Sequence, residues 1–361
     1  MRVGTVWKAA ALAAGGALAL FTAAEYRPNK IEALPETKTG TGAGRTLRAG
    51  EKLSLLTWNI GFGCFDAGAD FFHDGGKKVN SASRAQVEQN IRSIGAVLAG
   101  MCPDVVLIQE VDQKSARSHG VDEYGKLCSR MAETAGTVFS ALAWNFKVLF
   151  VPYPIPPIGH VESGIATLTA LRPKSGTRVS LPCPFPWPVR TCNLKRCLLI
   201  TRIPLEGSSK ELVLVNLHLE AYDSGAGKAA QTRALREVLF AEAARGNYVI
   251  AGGDFNQSFS TADETRYPQR DPSLWRAGKL DVEAFLPAFT PAEDPRVPSC
   301  RSLDRPYRGA DPKNFQYYLI DGYLVSRNVE ILSVETKDLH FAASDHNPVQ
   351  LTCRLRAEQT K

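Results

Sequence analysis

Six strand-length apolar runs in this 361-residue chain are ended or interrupted by a carboxylate, an amide or an imidazole: LSLLTWNIG, DVVLIQEVD, LVLVNLHLEAY, VIAGGDFNQS, YLIDGYLV and AASDHNPVQL. A single such break is an ordinary turn or cap, because Asn and Asp bond their own backbone there. A series of them is harder to dismiss. A buried carboxylate costs several kcal/mol unless it is paired or bound to a metal. The breaks are therefore expected to be paired or metal-bound polar positions rather than parts of a plain apolar core.

Counting at period two puts Leu55, Thr57 and Asn59 on one face of their run,. Val106, Ile108 and Glu110 share a face in the second run, and Leu214, Asn216 and His218 lie opposite Val213, Val215 and Leu217 in the third,. Further strands are expected at 164–171, 197–203, 248–251, 319–325, 331–336 and 349–355. Helices are expected at 83–98, 124–135 and 226–244. The first helix carries Val87, Ile91, Ile94 and Leu98 at helical spacing and should stop at Gly100,. Helices alternate with strands and many strands follow one another directly, which predicts sheets packed face to face with helices outside. No composition break divides residues 51–356, so they read as one domain. Two long connections, 145–197 with its proline runs and 257–317, read as irregular loops.

Ahead of this body, Arg2 and Lys8 flank a 16-residue apolar run, Ala9 to Ala24. That is short for a membrane span of about 20 residues and fits a signal-peptide core. Residues 1–24 are thus expected to be a signal peptide or, uncut, an N-terminal membrane anchor, with 25–50 a flexible tether and the protein secreted or membrane-anchored outside the cytoplasm. The formal charge is +6, but the first 50 residues hold 7 basic and 3 acidic side chains, leaving 36 and 34 in the rest. Net charge alone therefore marks no nucleic-acid-binding body. Among the 8 cysteines no pair has zinc-site spacing,. Cys183 and Cys192 bracket a proline-rich loop and are the best candidates for a disulfide, while Cys102 and Cys353 read as buried thiols,.

The chemistry at the run ends is specific. Glu110, Asp254 and Asp345, with Asn59 and Asn256, form an oxygen-rich set suited to Mg2+, Mn2+ or Ca2+ rather than zinc,. His218 and His346, with Asp321, add acid–base groups and an orienting carboxylate,.

The six motifs, in this order and over residues 51–356, resemble those of the endonuclease/exonuclease/phosphatase superfamily. It includes pancreatic-type deoxyribonucleases, abasic-site endonucleases, bacterial neutral sphingomyelinases and inositol-polyphosphate 5-phosphatases. The resemblance implies an α/β (α+β) fold, a four-layer α/β/β/α sandwich of two mixed sheets flanked by helices, and a metal-dependent phosphoesterase. Glu110 would then be the principal metal ligand, with Asn59 and Asp345 in the shell. Asp254 would position or deprotonate water, Asn256 would donate a hydrogen bond at phosphorus, and His346, oriented by Asp321, would stabilise charge or relay a proton. His218 would assist the leaving group or bind phosphate. Asn216 and the Lys195–Arg196 pair are candidate substrate contacts. The implied cofactor is Mg2+, with Mn2+ or Ca2+ as alternatives. The substrate would be a phosphodiester or phosphomonoester in a nucleic acid, a phospholipid headgroup or a small molecule. The membrane enters as a partner through an uncut leader, and no obligate protein partner is implied. The other function class is a non-catalytic cell-surface binding module that retains the fold.

Overall fold

The computed structural model describes residues 18–223 and 225–357, together with Trp7, Leu12, Gly15 and Gly16. Most of the apolar leader, and with it the choice between signal peptide and anchor, lies outside the described residues. Residues 18–23 are helical. Among the described residues no helix is long and apolar enough to cross a membrane.

In chain order the strands are β1 (Ile31–Leu34), β2 (Thr37–Gly40), β3 (Lys52–Asn59), β4 (Val105–Asp112), β5 (Thr137–Val151), β6 (Gly159–Thr169), β7 (Ser175–Ser180), β8 (Cys197–Pro204) and β9 (Glu211–His218). They continue as β10 (Tyr248–Asp254), β11 (Gln257–Phe259), β12 (Gly278–Leu280), β13 (Phe289–Ala292), β14 (Cys300–Arg301), β15 (Tyr317–Tyr318), β16 (Asp321–Ser326), β17 (Val329–Thr336) and β18 (Val349–Leu355). The α-helices are α1 (Arg84–Met101), α2 (Glu123–Ala135) and α3 (Ala226–Ala244). Two seven-stranded sheets result, ordered β1-β7-β8-β9-β10-β16-β13 and β17-β18-β3-β4-β6-β5-β2. Each is mixed: β9–β10 and β3–β4 are parallel pairs in otherwise antiparallel ladders.

Alternation within the strands sorts the apolar side chains into layers. Leu53, Leu55, Val105 and Leu107 of one sheet meet Leu212, Leu214, Ile250 and Val325 of the other in a core between the sheets. The opposite faces, Leu56, Trp58, Val106 and Ile108, pack under α1 and α2. Val213, Val215, Leu217 and Val249 pack under α3 with Leu235 and Leu239. The expected four-layer sandwich is therefore the observed one.

Local chemistry sets the helix limits. Ser83 caps α1 by accepting from Gln86 N, and Asp122 caps α2 by accepting from Gly125 N,. α1 runs through Gly100 and ends where Cys102 takes a left-handed conformation at φ 43°,. Cys102 is consequently exposed rather than buried, whereas Cys353 is buried as expected. Cys183 and Cys192 are both free, so the proposed disulfide is not formed. Their Sγ atoms instead face the Leu194 and Phe150 carbonyls.

Residues 25–50 are not a tether in the structure. β1 pairs with β7 and β2 pairs with β5, so this segment supplies an edge strand to each sheet. Arg45 and Leu47 then form bridges to Leu171 and Leu205. Edge pairing is made by backbone groups, which a polar Thr/Lys/Gly composition does not prevent. The stretch 145–197 is likewise more regular than its prolines implied, since it contains the end of β5 and all of β6 and β7. The prolines are confined to the connections.

Candidate active site

Topology brings the polar run ends together. Because β3 and β4 run parallel, as do β9 and β10, Asn59, Glu110, His218 and Asp254 emerge at the same edge of the sandwich. β16 is antiparallel to β10 and starts there, with Asp321 opposite Asp254. β18 is antiparallel to β3, so the segment that feeds it delivers Asp345 and His346 to the same place. A cleft of about 750 Å³ opens here, with Glu110, His218, Asp254, Asn256, Asp345 and His346 in its wall.

Two backbone features aim these groups. Glu110 has φ 52°, at a register shift between Ile108 and Val111, which turns its side chain off the helix-facing side shared by Val106 and Ile108,. Gly253 has φ 152°, and a Cβ there would lie 2.0 Å from the Leu217 carbonyl oxygen, so only glycine lets β10 approach β9 just before Asp254,.

Asn59 Nδ2 donates to Glu110 Oε1 at 3.0 Å and to Asp254 Oδ2 at 3.1 Å. His346 Nδ1 lies 2.8 Å from Asp321 Oδ2, and its Nε2 is 3.9 Å from Asp254 Oδ2. His218 Nε2 is 3.5 Å from Asp254 and 3.9 Å from Glu110. Asn256, at φ 50°, donates its backbone N–H to Asp254 Oδ1 and its Nδ2 to the Leu219 carbonyl. Ser344 Oγ bonds the Asn59 carbonyl at 2.8 Å, tying the last loop to β3.

Electrostatics separate the groups by role. Burial, with Asp321 alongside, pushes the Asp254 carboxyl up to about 7,. Burial also raises Asp345 to about 6, against the pull of His346 and Arg301. Burial drives His218 well below the ordinary imidazole value, helped by the nearby Arg196 and His346, so its ring is neutral. For His346 burial acts in the same direction, but Asp321 and the other acidic neighbours outweigh it and hold the imidazolium.

The donor set suits a hard divalent cation. Glu110, Asp254 and Asp345 gather in one wall, and among the described residues none is ion-paired with Lys or Arg; Glu110 and Asp254 have only the two histidines within ion-pair reach. Such an excess of carboxylate oxygen is what Mg2+ or Mn2+ neutralises. Ligand atoms of Asp254, Asp321 and His346 lie within 4.8 Å of one another, as do those of Cys300, Asp345 and His346. Glu110 belongs to neither triad, and the Asp321–His346 hydrogen bond occupies that pair. The carboxylates in the cleft wall outside the Asp321–His346 pair are those of Glu110, Asp345 and Asp254.

Three expected substrate contacts fare differently. Arg196 lines the cleft, buried against Glu220 at 3.3 Å and donating to the His218 carbonyl. Lys195 points away, ion-paired with buried Glu25 at 3.3 Å and bonded to the Arg190 carbonyl. Asn216 does not reach the cleft. It lies between the sheets, accepting from Gln109 Nε2 at 2.8 Å and donating to the Ile108 and Ala166 carbonyls. It is a strut, two residues short of the strand end.

The irregular loops contribute residues that no pattern announced. Cys300 and Arg301 of β14 line the cleft; Cys300 forms a bridge pair with His346, and burial raises its thiol to about 12. Asp74 accepts a hydrogen bond from the Tyr222 hydroxyl at 3.0 Å across the cleft.

The sequence profile of the Endonuclease/Exonuclease/phosphatase family matches residues 56–346, and the chain belongs to this family. Among solved structures it is similar to an endonuclease/exonuclease/phosphatase from Beutenbergia cavernae DSM 12333, at 18% identity over 86% of this chain and 72% of that one, with TM-score 0.57. A family protein from Leptotrichia buccalis C-1013-b aligns at 15% identity over 84% and 99%, with TM-score 0.51. The human Nocturnin catalytic domain aligns at 14% identity over 88% and 96%, with TM-score 0.50. These likenesses establish a shared fold. No curated protein sequence matches the chain.

Proposed function

We propose that this protein is an exported, divalent-cation-dependent phosphoester hydrolase. The observation that carries the reading is the set of carboxylates Glu110, Asp254 and Asp345, none with a Lys or Arg ion-pair partner among the described residues, beside the buried His346–Asp321 pair at the strand ends. Export is inferred from the basic-flanked apolar leader.

Glu110 and Asp345, with Asn59 alongside, would hold the cation, which when bound supplies Lewis-acid neutralisation of the phosphoryl and leaving oxygens. Asp254 Oδ2 holds the attacking water and takes its proton; a carboxyl near 7 suits that task,. Asp321 fixes the His346 ring through Nδ1, leaving Nε2 to donate to the phosphoryl oxygens,. Neutral His218 serves the leaving oxygen or the phosphate, and the Arg196 guanidinium adds positive charge at the wall. One Asn256 N–H is committed to Leu219, so a single amide hydrogen remains for the phosphoryl group.

The test is hydrolysis of bis(p-nitrophenyl) phosphate and p-nitrophenyl phosphate with Mg2+ or with EDTA. Turnover should require the cation and should fall by roughly 10²–10⁴ in His346→Ala. Full activity in EDTA, or in His346→Ala, refutes the reading.

A further inference from the structure

Two loops at the mouth of the cleft have the same unusual composition, and the chemistry of the carboxylates does not need it. The β5–β6 connection reads VPYPIPPIG and the segment after β7 reads LPCPFPWPV, each with 4 prolines and no charged residue. The two are packed together: Cys192 and Leu194 lie against Val151 and Ile158 in one apolar cluster. Both line the cleft, through Tyr153 and Ile158 on one side and Phe185 and Val189 on the other.

Their outer surface is apolar and exposed. Ile155 is 92% exposed, Tyr153 69% and Trp187 50%, with Leu149, Phe150 and Val189 also exposed. A contiguous apolar surface at the rim of a site is an interaction surface. Proline spacing narrows the partner. Each proline lacks an N–H, so a loop in which every second residue is proline leaves few backbone donors to be desolvated in an apolar phase. Tyr and Trp are suited to a lipid–water boundary, where the ring is buried and the polar edge stays wet.

The start of the chain arrives at this same corner. Trp187 Nε1 donates to Thr22 Oγ1 at 3.3 Å, and Glu25 is held by Arg190 and Lys195. Leu18 and Leu20 of the helical turns before it are exposed. The apolar segment that ends at Ala24 therefore joins the body beside the exposed rim. Arg27 and Arg190 beside it are partly exposed and share the Glu25 carboxylate.

We propose that the two proline-spaced loops form one docking rim for a lipid surface, which holds the mouth of the cleft against the bilayer. A phosphoester carried by a membrane lipid would then reach the carboxylates without leaving the interface; this consequence, unlike the docking, rests on the phosphoesterase reading.

The experiment uses the full chain and Ile155→Asp/Trp187→Asp, two positions outside the cleft wall. Vesicles are phosphatidylcholine with a minor fraction of phosphatidylglycerol, and bis(p-nitrophenyl) phosphate is the soluble substrate. The double variant should keep its soluble turnover while phosphate-ester release from vesicles falls about tenfold or more. Docking is read separately, from quenching by brominated lipid in the wild type against Trp187→Phe, whose difference isolates Trp187 from the leader. Equal quenching in the two proteins overturns the proposal, as does unchanged vesicle turnover in the double variant. Loss of a dimer in the double variant, with quenching unaffected in the wild type by vesicles, assigns the rim to a second copy and also overturns it. If neither substrate is turned over by the wild type but Trp187 is quenched, the hydrolase reading fails and the docking surface stands.

Discussion

Asp254→Asn should abolish hydrolysis and yet make the cation-free protein more stable at pH 8. Asp254 is 1% exposed, and among the described residues no lysine or arginine is ion-paired with it. Its carboxyl rises from 3.8 to about 7 through burial and the neighbouring Asp321. Because the folded-state value is the higher one, the folded chain retains a proton that the unfolded chain releases between pH 3.8 and 7. The associated stability is fully present below the lower value and is gone above the upper one. At about 1.36 kcal/mol per pH unit the wild type carries a penalty of roughly 4 kcal/mol at pH 8. Asparagine removes that penalty but cannot accept from both Asn59 Nδ2 and Asn256 N, a loss of about 1 kcal/mol. A net gain of roughly 3 kcal/mol, set against an unfolding entropy of about 2.1 cal/mol/K per residue, raises Tm by about 4 °C. Near pH 5 most of the wild-type penalty has vanished and the two proteins should melt together. Scanning calorimetry in EDTA at both pH values is the assay, with saturating Mg2+ at pH 8 as the control that stabilises the wild type. A variant that melts below the wild type at pH 8 would show that Asp254 is not an uncompensated charge, and the cation argument would lose its electrostatic basis.

Other outcomes follow from the same geometry. Asn216→Leu should lower stability by roughly 2–5 kcal/mol, because it removes three buried hydrogen bonds, one from Gln109 and two to the Ile108 and Ala166 carbonyls, while turnover per folded molecule in the cation-saturated enzyme stays near wild type; urea titration and active-site-normalised kinetics separate the two. Gly253→Ala should destabilise by about 4 kcal/mol or more, since its Cβ meets the Leu217 carbonyl, and this is read as loss of soluble folded protein. Reductant should leave Tm unchanged, and alkylation of the native protein should modify Cys102 and Cys183 before the buried thiols, as seen by peptide mass spectrometry.

What the amino-acid pattern revealed, and where it failed, has physical causes. Period-two counting assigned the layers correctly for Leu214, Asn216 and His218, since a strand's side chains alternate whatever surrounds them. It gave no measure of depth along the strand, so Asn216 was placed at the site when it lies two residues inside. Glu110 was located by chemistry, but its face was misread because a left-handed residue at a register shift breaks the alternation. β5 was missed because the residues inward of its proline tip are apolar on both faces and show no clear alternation. β1 and β2 were missed because an edge strand needs only backbone groups. Cys300, Arg301, Asp74 and Tyr222 reach the cleft from irregular loops, where position depends on tertiary packing and leaves no local signature.

The two edge strands at the head of the chain bear on the order of folding. Thr37 pairs with Ser140 and Ile31 with Val179, so the first strands synthesised must wait for partners about a hundred residues or more further along the chain. At about 5–20 residues/s, the gap between them lasts on the order of ten seconds. During that interval the head of the chain has no partner strand and is free to be held elsewhere. Whatever holds the leader thereby governs the closing of both sheets. The head of the chain must be released before β1 and β2 can complete the two sheets.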